Sequence, residues 1–81
     1  MNPFEKYRSL ILESDFKINV SFNYIDILNF TKIINIEEKE VILEQNKKII
    51  KIIGSNIRVV RMLKDELLLT GTIKKITLGS D

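Results

Sequence analysis

Phe16-Lys17-Ile18-Asn19-Val20-Ser21-Phe22 sets an apolar residue at every second position with a polar one between. That is the period of a half-buried strand, because successive side chains of an extended chain point to opposite faces. The reading continues downstream. Residues 24–30 place Ile25 and Ile27 on one face, with Asp26 and Asn29 turned away. Lys32–Ile36, Glu40–Gln45, 48–53, 57–62, 66–70 and 72–78 follow as strand segments. Glu37-Glu38-Lys39, Asn46-Lys47, Gly54-Ser55, Lys64-Asp65 and Gly71 punctuate them. Seven or eight short strands at this spacing predict an antiparallel sandwich or barrel. Nothing after Asp15 is long enough, with a helical period, to cross between parallel strands. The expected fold is therefore mainly β, an antiparallel meander forming a small sandwich or open barrel.

Ahead of the strands the period differs. Asn2 suits a helix N-cap, Pro3 the first helical position, and Glu5 the first turn, where negative charge is favoured. Phe4, Tyr7 and Ile11, with Leu10 to one side, recur at helical spacing, and Ser14-Asp15 closes the segment. A short N-terminal helix over 1–14 is expected, docked by its apolar stripe because so short a helix is marginal alone. The whole chain, 1–81, reads as a single domain.

Two features refine the strand reading. In Ile73-Lys74-Lys75-Ile76 the alternation slips by one, so the two isoleucines share a face only if a bulge lies at Lys74-Lys75. Gly54 and Gly71 mark backbone positions where a Cβ would be costly, and Gly54-Ser55 reads as a break requiring positive φ. The expected core comprises Ile18, Val20, Ile27, Ile36, Val41, Leu43, Ile50, Ile52, Ile57, Val59, Leu68, Ile73 and Ile76. Lys32–Ile36 and 48–53 carry apolar residues on both faces, so a second layer or a second subunit must cover the outer one.

Composition narrows the function. The chain has 81 residues with no cysteine and no histidine, so disulfides and the commonest metal ligand and general base are excluded. A chain this short has a marginal core, which leaves association with a partner as a route to stability. Neither a secretory leader nor an apolar run of membrane-spanning length is read, and a cytoplasmic location is expected. Glu37, Glu38 and Glu40 with Lys39 form a solvated turn rather than a carboxylate pair in a pocket, and Gly54, Gly71 and Gly79 stand apart, unlike a phosphate loop. No catalytic residue, cofactor site, metal site or small-molecule substrate is therefore assigned. The alternative function is a small β-barrel binding single-stranded nucleic acid through Lys47, Lys48, Lys51, Arg58, Arg61 and Lys64. Its weakness is that all aromatics (Phe4, Tyr7, Phe16, Phe22, Tyr24, Phe30) precede the basic residues in sequence.

The run Lys51-Ile-Ile-Gly-Ser-Asn-Ile-Arg-Val-Val, then Leu67-Leu-Leu-Thr-Gly-Thr-Ile-Lys-Lys-Ile, resembles the YabP/YqfC family of bacterial sporulation proteins. The resemblance extends upstream through Ile27-Leu28-Asn29 and Glu40-Val41, covering about residues 15–78. It departs from the family pattern at Asp15-Phe16, where Leu-Pro is common, and at Lys32, where glycine is common. What it implies is a non-enzymatic role in spore coat or cortex assembly, in the mother cell. The resemblance implies another sporulation protein, a membrane-associated one included, as partner, while the two-faced apolar strands lead to an expected homo-oligomer.

Overall fold

A computed structural model describes residues 16–79; the helix expected over 1–14 lies outside them. The described residues form β1 (Lys17–Val20), β2 (Tyr24–Leu28), β3 (Lys32–Ile36), β4 (Glu40–Gln45), β5 (Lys48–Met62) and β6 (Glu66–Gly79). All pairs are antiparallel, in the sheet order β1-β2-β6-β5-β4-β3. β3 through β6 run as a meander, and the β1–β2 hairpin joins it through β6. Since β1 and β3 end the order without pairing to each other, the sheet is not closed.

Fewer strands appear than the punctuation suggested. Gly54 and Gly71 lie inside strands of 15 and 14 residues instead of ending them. The two long strands form one hairpin whose halves serve different neighbours. β4 pairs with Lys48 to Ile53 of β5, whereas β2 pairs with Glu66 to Thr70 of β6. The register between β5 and β6 slips at Ile53/Gly54, at Ser55/Arg58 and at Val59/Arg61, and these bulges bend and twist the hairpin. The slip expected at Lys74-Lys75 is present: Ile53 faces Lys75 while Gly54 faces Ile73, leaving Lys74 as the extra residue. Ile73 and Ile76 accordingly both pack against the core.

The backbones meet closely at the bend. A Cβ on Gly54 would run into the carbonyl oxygen of Thr72, and one on Gly71 would lie 2.8 Å from the carbonyl oxygen of Asn56. Gly71 also has φ of 133°, in the region side chains avoid. The positive φ expected at Gly54 falls instead on Asn56, at 54°. Asparagine tolerates that conformation, and Gly54 is needed for close approach alone. Two hydrogen bonds pin the bend to the β3–β4 turn: Gly54 N–H donates to the Lys39 carbonyl at 3.0 Å and Ile57 N–H to that of Glu38 at 2.9 Å.

Cross-strand partners share a face, so the register assigns the core. Ile25, Ile27, Leu67 and Leu69 line one half of the sheet, and Val41, Leu43, Ile50 and Ile52 the other. Both sets belong to one buried cluster, so the bent hairpin folds one half of the sheet over the other. Phe30, 6% exposed, joins that cluster from the short β2–β3 connection. This connection turns at Asn29, whose φ is 67°, and Lys32 opens β3. Thr31 N–H donates to the Glu44 carbonyl and the Asn46 N–H to Thr31 Oγ1, tying the connection to the β4–β5 turn.

Of the expected core, Ile27, Val41, Leu43, Ile50, Ile52 and Ile57 are buried, and Ile18, Ile36, Ile73 and Ile76 pack against them half-buried. Three assignments are corrected. Val20 and Val59 share the inner face but sit on strands with one free side, and are 58% and 39% exposed. Leu68 points outward, because in Leu67-Leu68-Leu69 the flanking pair takes the inner positions.

Two changes of stability follow. Gly71→Val should cost about 3 kcal/mol, combining a strained φ with a backbone clash, and lower the melting temperature by at least ~10 °C. An unchanged melting temperature would contradict the close approach. Conversely, Asn46 and Lys47, at φ of 52° and 69°, make a two-residue turn with both central residues left-handed. Lys47→Gly should therefore stabilise by about 1 kcal/mol, read as a higher urea midpoint at constant slope.

Candidate interaction surface

The acidic turn expected at Glu37-Glu38-Lys39 is the exposed β3–β4 connection, closed by Glu37 N–H to the Glu40 carbonyl at 2.8 Å. Its role is in the backbone, since the Glu38 and Lys39 carbonyls hold the bend. Glu40 carboxylate lies 3.9 Å from Lys51 Nζ, and Glu44 3.7 Å from Lys32 Nζ, across the outer face of the β3–β4–β5 half. Among the described residues, no group of side chains is arranged to hold a metal ion.

A tighter charged cluster occupies the outer face of the other half. Arg61 Nη2 donates to Glu66 Oε2 at 3.0 Å, and Glu66 also shares a hydrogen bond with Asp26 on β2. Desolvation raises the Asp26 pKa first, and the hydrogen bond and negative charge of Glu66 raise it further, with Arg61 opposing. Glu66 is held below its ordinary value, chiefly by the hydrogen bond from Arg61. Asp26 Oδ1 is buried with no hydrogen-bond partner. The cluster is a carboxyl pair clamped by one guanidinium, with Asp26 the strained member.

The candidate nucleic-acid residues do not form one surface. Lys47, Lys48 and Lys51 stand at one end of the bent β5, and Arg58, Arg61 and Lys64 at the other. Lys51 and Arg61 are engaged by Glu40 and Glu66. Of the described aromatics Phe30 is buried and Phe16 packs against the core, which leaves Phe22 and Tyr24 exposed. Only Tyr24 shares a row with a candidate cation, Arg58, across Thr70.

Apolar exposure is the conspicuous surface property. Phe22 is wholly exposed at the tip of the β1–β2 hairpin, flanked by Val20 at 58% and Tyr24 at 51%. The turn itself is well made: Ser21 N–H and Oγ both donate to the Tyr24 carbonyl, and Thr70 Oγ1 donates to the Asn23 carbonyl at 2.8 Å. A firmly built turn thus presents a bare phenyl ring to water. A second group, Val59, Val60 and Met62 on the second half of β5 with Leu63 just beyond it, lies where among the described residues only β6 runs alongside. The surplus was expected on the outer faces of β3 and β5. There Ile34 is indeed 47% exposed, but Ile49 and Ile53 are half-buried in a row with Lys51 and Lys75. Sequence alternation missed the hairpin tip, because Phe22 reads as the next inward position of β1. No helix among the described residues is long and apolar enough to cross a membrane.

Comparison with family models, curated proteins and solved structures finds no match to this chain.

The charged cluster predicts a pH effect of unusual sign. Because the native Asp26 pKa is raised, its ionisation destabilises the fold, and the penalty grows as pH rises from the ordinary aspartate value of about 3.9 through the native one. Asp26→Asn should therefore raise the chemical denaturation midpoint at pH 7, with the gain vanishing near pH 3.5. A loss of stability at pH 7 would show that the carboxylate is favourable in the fold.

Proposed function

We propose that this protein is a non-enzymatic association module that binds copies of itself through bare apolar surface, principally the Phe22 hairpin tip. The single observation carrying this reading is the exposure of Val20, Phe22 and Tyr24 together on a hydrogen-bonded turn. Apolar groups left bare around one turn are costly in water and gain when a second surface covers them. Among the described residues the sheet is unclosed, and its strand edges add further means of association.

The process we propose for it is endospore formation, as a component supporting coat or cortex assembly in the mother cell. The support is the ordered resemblance to YabP/YqfC sporulation proteins, whose shared glycines are Gly54 and Gly71 of the bend. Single-stranded nucleic acid remains the alternative, and the dispersal of the basic residues favours association over it.

Sedimentation velocity across the micromolar range tests self-association. The native chain should show a sedimentation coefficient that rises with concentration. Phe22→Ser should weaken the assembly roughly tenfold or more, since burying a phenyl ring contributes about 2 kcal/mol, while leaving the melting temperature of this exposed position unchanged. A native chain that stays monomeric throughout would refute the reading.

A further inference from the structure

We propose that the second half of β6, residues 72–79, is a docking edge for an extended segment of another protein in which apolar residues alternate with aspartate or glutamate. This inference goes beyond the self-association reading above and adds a second, chemically different surface. β2 pairs with β6 only as far as Thr70, so among the described residues β5 alone runs beside 72–79. The bulge at Lys74 falls at the start of that edge, and Lys75 to Gly79 then keep a regular register against Ile53 to Ile49. The free side of 58–62 on β5 differs, since register slips interrupt it on both sides of Val59. An uninterrupted row of unpaired backbone groups is what strand addition needs.

The two faces beside this edge set the partner's alternation. On the inner face a groove of about 450 Å³ is lined by Phe16, Ile50 and Leu78, with Lys48 and Gln45 at its side. Leu78 is 63% exposed there, an apolar residue lacking a neighbour strand. On the outer face a second groove of about 520 Å³ is lined by Lys51, Lys75, Thr77 and Ile53, with Glu40. A strand laid along Lys75 to Gly79 would point every second side chain into the apolar groove and the others toward the lysines. Lys48, Lys51, Lys74 and Lys75 surround the edge, while the carboxylates one strand further in, Glu40 and Glu44 on β4, already face Lys51 and Lys32. Charge complementarity therefore selects a carboxylate-bearing segment. A second copy is disfavoured here, because a two-fold contact would present the same lysines to themselves.

Fluorescence anisotropy with the full chain tests this, using labelled eight-residue peptides that alternate valine with glutamate or valine with lysine. The glutamate peptide should bind at least roughly tenfold more tightly than the lysine peptide at low salt. Leu78→Asp should weaken it by a similar factor. The double change Lys74→Glu and Lys75→Glu should invert the preference toward the lysine peptide, an outcome that misfolding cannot produce. Equal binding of the two peptides, or tighter binding of a single-stranded RNA than of the glutamate peptide, overturns the proposal. So does cross-linking of residues 1–15 into the groove by a photoreactive group at position 78 in competition with the peptide. Sedimentation of the same samples separates the two readings. Self-association without peptide binding removes the docking edge alone, whereas peptide binding by a strict monomer leaves the edge standing and removes self-association.

Discussion

Two backbones cross at the middle of the β5–β6 hairpin with no room for a Cβ on either glycine. Gly54 lies against the Thr72 carbonyl and Gly71 against Asn56. A straight hairpin of this length would leave a single layer, wet on both sides, and a chain this small could not bury enough apolar surface that way. The close approach, with its bulges, lets one hairpin supply one central strand and one outer strand to each half of the sheet. The halves then fold together over Ile25, Ile27, Leu67 and Leu69 on one side and Val41, Leu43, Ile50 and Ile52 on the other. The acidic β3–β4 turn contributes through its carbonyls, which accept from Gly54 and Ile57 and hold the bend where the crossing occurs.

Bending has a structural consequence at the margins. Among the described residues, each long strand is central in one half of the sheet and has a free side in the other. Residues on those free sides keep inward orientation without full cover, as Val59 and Leu78 show. The two edges differ in character: bulges and the exposed apolar residues Val59, Val60 and Met62 mark the β5 edge, whereas lysines and regular register mark that of β6. Surfaces of such different chemistry suit different occupants, one matched by apolar cover and the other by negative charge.

The charged cluster of Asp26, Glu66 and Arg61 shows how little of the electrostatics serves stability alone. One guanidinium faces two carboxyls, so one of them holds its proton more strongly than an ordinary aspartate. The outer-face pairs Lys32–Glu44 and Lys51–Glu40 are exposed and long, and contribute little to the fold.

Strand content, antiparallel pairing, the Asn46-Lys47 turn and the bulge at Lys74 were all legible in the sequence. Each leaves a local mark: a period of two, a turn residue that tolerates positive φ, a slipped alternation. The burial of Ile27, Val41, Leu43, Ile50 and Ile52 followed from the same period. The inner members of Leu67-Leu68-Leu69 were not legible, since a run without polar residues has no phase. Nor was the continuity of β5 through Gly54 and of β6 through Gly71, because a glycine that ends a strand and one that permits a crossing look alike along the chain. Which apolar residues stay bare, Phe22 above all, was decided by the tertiary structure. Exposure depends on whether another strand lies opposite, and that is a property of the sheet order rather than of neighbouring residues.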